Sequence, residues 1–321
     1  MNDSEPVSLI FPWGHARRFN DLSGYLKGKF GTRVQKLSID AGFTCPNRDG
    51  SKGTGGCTFC NNKSFNPDYC TSELSVSQQI KLGMDFFSAK YENVKYLAYF
   101  QSYTNTYSSL ENLKGLYQEA LSHPEISGIV IGTRPDCINE LLLDYLEELA
   151  RNYYVSIEFG IESTLDRTLT RINRGHDYQE CVSAIEQTQK HGIHVGAHLI
   201  LGLPGETGED MLNHARRLSL LHINMLKIHQ LQIIRGTKME EEFLNSPEDF
   251  ITFTADGYVD FVIRFLELLD PEIIVERFAS SSPPDLIAGK RWGLKNFEII
   301  AKVEKEMILR NTWQGRLFSL K

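Results

Sequence analysis

The stretch VQKLSIDAGFTCPNRDGSKGTGGCTFC, residues 34–60, joins an apolar, β-branched run to a loop that contains three cysteines. The run VQKLSID has the composition of a strand, and the loop behind it is rich in glycine. In parallel α/β folds, chemistry gathers on the loops that follow the carboxyl ends of strands. The sequence therefore predicts that the cysteine-containing loop lies at the functional end of such a fold.

Short apolar runs continue to alternate with amphipathic stretches as far as about residue 234. Five further strands are predicted: VKYLAYF, SGIVIGT, YVSIEFG, HVGAHLILG and NMLKIHQLQII. Helical patterns of about ten to fifteen residues separate them, which indicates parallel βαβ units. Six units are too few for a complete eight-unit barrel. We therefore predict an α/β partial (β/α)6 TIM-type barrel over residues 33–237, with an N-terminal segment (1–32) and a C-terminal helical extension (238–321).

The composition is ordinary for a globular protein, with 41% hydrophobic and 23% charged residues in a chain of 321. No apolar run reaches the length of about 18 residues that spans a membrane, so we expect no membrane association. The first residues lack the charged-then-apolar order of a signal peptide. We expect a cytoplasmic protein, in which clustered cysteines bind a metal or take part in catalysis more often than they form disulfides.

The net charge of −7 is unevenly distributed along the sequence. Residues 13–33 contain five basic residues and one acid, and residues 286–321 contain eight basic residues and three acids. One interpretation is that these are solvated faces of separate helices. The other is that the basic ends converge on a polyanion such as RNA.

Cys45, Cys57 and Cys60 have the spacing C-x11-C-x2-C, in which the close pair lets two thiolates approach one metal centre. A structural zinc site needs a fourth ligand, which Cys70 or a histidine could supply. A simple iron–sulfur electron carrier likewise needs four cysteines. The alternative is a [4Fe–4S] cluster with one iron left open for a small molecule, as in catalytic metal sites. The spacing alone leaves these alternatives open.

A set of longer motifs carries a family resemblance. In chain order they are GFTCPNRDG, GGCTFCNN, YFQSYTNTY, GTRPD, INRGH, LGLPGET, IIRGT, RWGLKNFE and WQG. Together they resemble radical S-adenosylmethionine (radical SAM) enzymes, and within that superfamily the YhcC-type group, which is related to the radical domain of the elongator acetyltransferase subunit. The eleven-residue gap after Cys45 departs from the commonest superfamily spacing, C-x3-C-x2-C, but is shared by the YhcC-type group.

The resemblance implies that Cys45, Cys57 and Cys60 bind a [4Fe–4S] cluster and that S-adenosylmethionine occupies its fourth iron. Phe59 matches the position of an aromatic residue that packs against adenine; loop packing is the alternative. Arg174 matches an arginine that binds the cofactor carboxylate, which suits its planar fork of donors.

Further cofactor contacts are implied at three strand ends. Glu162 matches the ribose-binding position, and Ser163 follows it. Gly202 shapes a turn near adenine. Gln101 and Ser102 stand where the superfamily often has a Gly-Gly-Glu-like motif, from which this chain departs; we expect them near the cofactor amino group.

Substrate-facing residues are predicted from strand alternation, which places His198 on one face of its strand and Lys227 with His229 on one face of the next. We expect His229, His198 and Tyr103 to face the barrel lumen.

The resemblance implies reductive cleavage of S-adenosylmethionine by a one-electron reductant such as flavodoxin or ferredoxin, followed by hydrogen abstraction from a substrate. RNA, in particular tRNA, is the expected substrate, and a small molecule or a peptide is the alternative substrate. The alternative function from another class is a zinc-dependent nucleic-acid-binding module.

Overall fold

The computed structural model of this chain describes residues 10–62, 66–88, 91, 93–280 and 282–319. Within them, seven strands form one sheet in chain order, and every neighbouring pair is parallel. The strands are β1 (Arg33–Ile39), β2 (Val94–Phe100), β3 (Ile126–Thr133), β4 (Tyr154–Glu162), β5 (His194–Leu201), β6 (Met225–Gln230) and β7 (Ile274–Arg277).

Helices precede, connect and follow the strands. They are α1 (Leu22–Phe30), α2 (Val76–Ser88), α3 (Leu110–Leu121), α4 (Glu140–Ala150), α5 (Asp166–Arg171), α6 (Tyr178–Lys190), α7 (Gly208–Ser219), α8 (Lys238–Asn245), α9 (Ala255–Leu268) and α10 (Asn296–Leu309). Their apolar faces pack on alternate strand residues such as Ile129, Ile157 and Leu199 in the main core. Among the described helices, none is both long enough and apolar enough to cross a membrane.

The sheet is curled into a half-barrel. Lys36 on β1 and Glu276 on β7 lie on the two edge strands, yet their charged groups are 2.6 Å apart. In a flat sheet, six strand spacings of about 4.8 Å would separate them by about 29 Å. The ion pair therefore shows that the two edges approach each other across the lumen.

Helix α1 lies between the two edges and contacts both β1 and β7. Asp21, which caps this helix, also forms a parallel bridge with Val275 of β7. Leu26 of α1 packs in a second apolar cluster with Leu97 and Val130, which lie on the inner face of the sheet. The N-terminal segment thus fills the amino-terminal end of the lumen, although residues 1–9 of it lie outside the described residues.

The predicted α/β partial TIM-type barrel is confirmed, with one correction to the strand count. The sheet has seven strands rather than six, because β7 lies in the region predicted to be a helical extension. This strand has only four residues, and a run of that length does not show a clear alternation of apolar and polar residues.

Candidate active site

The cysteine loop, residues 40–62, follows β1 at the carboxyl end of the sheet. Cys45 and Cys57 are buried and Cys60 is half-buried. Gly55 and Gly56 have φ angles of 82° and 77°, a left-handed conformation that favours glycine and lets the loop turn back toward the barrel. The loop therefore presents its thiols to the inside of the molecule.

Burial, and then the neighbouring Cys57, raise the pKa of Cys60 to about 11. The Cys60 thiol is consequently protonated at neutral pH, and its binding to a metal centre must release this proton. Two donors point at the sulfur of Cys57. Asn47 Nδ2 lies 3.8 Å and Arg174 Nη1 3.4 Å from Cys57 Sγ.

The spacing of the thiols does not fit a single zinc ion. Four sulfurs around one zinc lie less than about 4 Å apart, since each Zn–S bond is about 2.3 Å. Within the described ranges, one group of three His, Cys, Asp or Glu residues has its ligand atoms within 4.8 Å, and it is Glu140, Asp144 and His191 on the surface. In an iron–sulfur cluster each cysteine binds a different iron, so wider spacing is expected.

Cys70 lies in a different environment from the three loop cysteines. Burial and the carboxylate of Asp40 raise the pKa of Cys70 to about 12, and Ser102 is its hydrogen-bonding neighbour. By contrast, Cys60 is influenced by both Cys57 and Cys45. Cys60 is therefore grouped with Cys45 and Cys57, and Cys70 stands apart from these three thiols.

Arg174 connects the cysteine loop to the end of β4. Its Nη2 donates to the carbonyl of Gly160 at 2.6 Å and lies 3.7 Å from Glu162 Oε1. Burial alone would lower the pKa of this guanidinium, but the neighbouring Cys57 sulfur and Glu162 raise it. Its Nε is buried and has no partner among the described residues, so one donor is left for a bound anion such as a carboxylate.

The end of β4 is shaped for a ligand. Glu162 has a φ of 68°, an uncommon left-handed conformation for a non-glycine residue, and the register with β5 shifts between Gly160 and Glu162. A Cβ at Gly160 would lie 2.5 Å from Arg174 Nη2, so a side chain here would displace the guanidinium. Strained backbone of this kind clusters at active sites and ligand clamps.

A cavity of about 530 Å³, here called the reaction cavity, opens at the carboxyl end of the barrel. It brings together eight of the residues predicted from the sequence, which are Phe59, Cys60, Gln101, Tyr103, Glu162, Arg174, His198 and His229. Cys45 and Cys57 lie buried behind it. The volume is typical of a small-molecule site.

Three predicted cofactor contacts do not line the reaction cavity. Ser102 is buried and accepts a hydrogen bond from Asn66 Nδ2 at 2.9 Å. Ser163 donates to Glu206 at 2.5 Å, and Gly202, with a φ of 97°, has its amide 3.0 Å from the sulfur of Met211. In this structure these residues have protein partners next to the cavity wall.

An ion-pair network that the sequence did not reveal lies at the inner end of the reaction cavity, which Glu158, Lys227 and His198 line. Glu158 accepts from Lys36 at 2.5 Å, from Lys227 at 2.7 Å and from His198 Nε2 at 2.8 Å. Burial opposes ionisation, but the two lysines hold the pKa of Glu158 well below its ordinary value. Glu276 completes the network through Lys36 and Lys227. Lys36 and Glu276 come from the edge strands, and only the curl of the sheet joins them.

The two predicted lumen histidines are neighbours. The rings of His198 and His229 have centroids 5.5 Å apart, and His229 is hydrogen-bonded to Ser280. Burial, followed by the charges of His198 and Arg277, lowers the pKa of His229 well below its usual value. His229 is therefore neutral at physiological pH. Tyr103 lies apart from them at the mouth of the cavity, with 37% of its surface exposed.

Comparison with known proteins identifies the family. A model of the radical SAM superfamily matches residues 48–218, and a model of the radical SAM C-terminal domain matches residues 223–308. YtqA of Bacillus subtilis (strain 168) is 35% identical over 312 residues, which are 96% of this chain and 95% of YtqA. YhcC of Escherichia coli (strain K12) is 37% identical over 277 residues, 84% of this chain and 86% of YhcC.

Among solved structures, the Elp3 of the archaeon Methanocaldococcus infernus with an N-terminal deletion (1–46) has the same fold. The TM-score is 0.68 at 15% sequence identity, over 88% of this chain and 64% of that one. The three-thiol donor set, the open donor of Arg174 and the adjoining cavity fit the two cofactors of this family. The chain belongs to the radical SAM superfamily, in the group that includes YhcC, and is an enzyme that uses a [4Fe–4S] cluster and S-adenosylmethionine.

Proposed function

We propose that this radical SAM enzyme abstracts hydrogen from RNA, and that tRNA is the class of RNA on which it acts. When bound and reduced, the cofactor pair supplies a 5′-deoxyadenosyl radical. The chain binds and orients the cofactors, excludes water from the cavity and positions the substrate. Flavodoxin or ferredoxin is the proposed electron donor.

The cofactor-binding roles that the family resemblance implies are part of this proposal, and the lining of the cavity supports them. Cys45, Cys57 and Cys60 hold the cluster. The free Nε–H of Arg174 donates to the carboxylate of S-adenosylmethionine, and Glu162 faces its ribose. Phe59, which lines the cavity beside Cys60, packs on adenine.

The remaining cofactor residues take different places around the cavity. Gln101 faces the cavity and contacts the cofactor amino group. Ser102, Ser163 and Gly202 support the cofactor site without contacting the cofactor, because their hydrogen bonds fix the loops after β2, β4 and β5.

The observation that carries the choice of substrate is the pair of Tyr103 and Arg48 at the mouth of the reaction cavity. Arg48 is exposed and lies 5.6 Å from the centroid of the Tyr103 ring. Tyr103 has a φ of 61°, which is costly for an aromatic residue and orients an exposed ring at the entrance. An aromatic face beside a cation is the platform on which bases of single-stranded nucleic acids stack. His198 and His229 then lie deeper, where an extruded nucleoside would end.

The experiment is anaerobic turnover with isotopically labelled substrates. Perdeuterated tRNA, perdeuterated RNA depleted of tRNA, and a perdeuterated metabolite and peptide extract are each incubated with unlabelled S-adenosylmethionine and reduced enzyme. Deuterium in 5′-deoxyadenosine is then measured by mass spectrometry. We expect transfer from the tRNA fraction and none with Cys45→Ala. Transfer from the extract alone would replace RNA by a small molecule or a peptide as the substrate.

A further inference from the structure

A second cavity of about 400 Å³, here called the C-terminal cavity, adjoins the reaction cavity. The two share part of their lining, namely Gln230, Leu231, Gln232, Ser280 and Ser282. Its far side is formed by residues 287 and 289–295, which include most of the RWGLKNFE motif that no cofactor role explains. A ligand in one cavity can therefore extend directly into the other.

The inner wall of the C-terminal cavity is aromatic and held in place by its neighbours. Trp292 Nε1 donates to the carbonyl of Phe253 at 2.9 Å, and its ring lies 4.9 Å from that of Tyr258. Phe243 and Phe250 form an edge-to-face pair at 5.2 Å. Because these rings are fixed by packing, a planar group can stack on them without first ordering flexible side chains.

The rim of the C-terminal cavity is basic. Lys290, Arg291 and Lys295 line it and are exposed, and no Asp or Glu is among the described residues that do so. The positive charge is a local property of this rim, since the whole chain has a net charge of −7. Between wall and rim, Gln232 and Ser282 are joined by a hydrogen bond of 2.6 Å and offer amide and hydroxyl groups.

We infer that the C-terminal cavity binds one nucleotide unit, with its base against the aromatic wall and its phosphate at the basic rim. Aromatic faces for the base, amide and hydroxyl groups for its edge, and Lys or Arg for the phosphate are the three elements of single-strand recognition. The inference rests on the proposed action on RNA: a nucleotide held here neighbours the one that enters the reaction cavity. The same chemistry would accept a free nucleotide.

The test compares two double variants of the holoenzyme under anaerobic conditions. Lys290→Ala/Arg291→Ala removes two rim charges that are exposed, so the fold is expected to be retained. Lys81→Ala/Arg151→Ala removes the same charges from exposed positions that line neither cavity. The probe is a fluorescein-labelled single-stranded oligoribonucleotide of mixed sequence, followed by fluorescence anisotropy. The melting temperature of each variant checks its folding.

We expect the rim variant to bind the oligoribonucleotide about tenfold more weakly than the parent. We also expect a salt dependence of log K that is shallower by about 1.4, because each lost contact to a single strand removes about 0.7. The control variant should match the parent. Competition by uridine or adenosine monophosphate at similar affinity would identify a free nucleotide as the ligand, whereas competition by RNA alone would identify the polymer.

Four results would overturn the inference. They are equal RNA affinity in the rim variant and the parent, no binding of RNA or nucleotides by the parent, preferential binding of a labelled polyglutamate peptide, and a loss of substrate-independent 5′-deoxyadenosine formation in the rim variant. The last would assign the cavity to S-adenosylmethionine. If the rim binds RNA but no deuterium is transferred from RNA, the cavity assignment stands and the proposed reaction fails.

Discussion

The Nη1 of Arg174 lies 3.4 Å from the sulfur of Cys57, so one guanidinium contacts the cysteine loop and also lines the reaction cavity. Lys at this position would keep the charge but not the fork of donors. We expect Arg174→Lys to retain the cluster and to bind S-adenosylmethionine at least about tenfold more weakly. Anaerobic calorimetry and iron analysis measure the two effects.

Arg171→Lys is the matched control for this prediction. Arg171 also pairs with two carboxylates, Glu242 and Asp249, but it does not line the reaction cavity. Its replacement should leave the affinity for S-adenosylmethionine unchanged. An Arg174→Lys enzyme with the affinity of the parent would remove Arg174 from the cofactor site.

The four cysteines within residues 45–70 should separate into those that the cluster requires and one that it does not. Replacing Cys45, Cys57 or Cys60 by Ala should abolish the cluster, because each thiolate binds a different iron. Cys70→Ala should retain about four irons per chain, because Cys70 faces Asp40 and Ser102 instead. Iron analysis and electron paramagnetic resonance of the reduced proteins check this. Loss of iron in Cys70→Ala would instead indicate that Cys70 is a fourth protein ligand.

The left-handed backbone at Glu162 permits a test that separates strain from binding. Glu162→Gly and Glu162→Ala both remove the carboxylate, but glycine adopts a φ of 68° without a steric penalty. We expect the Gly variant to be more stable than the Ala variant by about 1 kcal/mol, and both to bind S-adenosylmethionine more weakly than the parent. Urea unfolding and calorimetry distinguish the two effects. Unaltered cofactor affinity in both variants would exclude the ribose contact.

Removal of one partner from the buried network around Glu158 should destabilise the barrel. Glu158→Gln leaves Lys36 and Lys227 without a shared counter-charge, and we expect a loss of about 3–5 kcal/mol in the free energy of unfolding. Urea denaturation at pH 7 measures it. Glu209→Gln, which breaks an exposed ion pair with Arg216, should change stability little.

The pH dependence of that loss has a defined sign. The lysines depress the pKa of Glu158 against the effect of burial, so its contribution is fully present above the ordinary carboxyl pKa of 4.5. It is lost as the pH falls through the lower pKa of the folded state. The difference between parent and Glu158→Gln should therefore be constant from pH 8 to 5 and shrink in more acidic solution. A difference that grows below pH 4.5 would contradict an ionised Glu158.

Two substitutions of Tyr103 distinguish a stacking platform from a donor of a hydrogen atom or proton. Tyr103→Phe keeps the ring and removes the hydroxyl group, whereas Tyr103→Leu removes the aromatic face. If bases stack on the ring, tRNA-stimulated formation of 5′-deoxyadenosine should persist in the Phe variant and fall about tenfold in the Leu variant. Equal losses in both variants would assign the role to the hydroxyl group.

Much of the fold could be predicted because its signals are local. The alternation of apolar runs with helical patterns predicted the parallel βαβ units seen in the structure, and period-two alternation placed His198 and His229 on the inner face. The cysteine spacing and the motifs around it identified the family. These features depend on residues close together in the sequence.

The features that sequence reasoning missed depend on curvature and on distant contacts. Lys36 meets Glu276 across 240 residues, which no local pattern can show. Strand β7 is too short to be periodic. The resemblance implies that Ser102, Ser163 and Gly202 lie near the cofactor, and this stays a prediction. The hydrogen bond from Ser163 to Glu206 joins residues 43 positions apart, so no local pattern shows it.

Helix α1, through its contacts with β1 and β7, closes the amino-terminal end of the barrel. His229 is therefore reached from the carboxyl end of the barrel, where the reaction cavity and the C-terminal cavity lie side by side. Cofactor and substrate must share this end, and we expect S-adenosylmethionine to bind before the bulkier substrate.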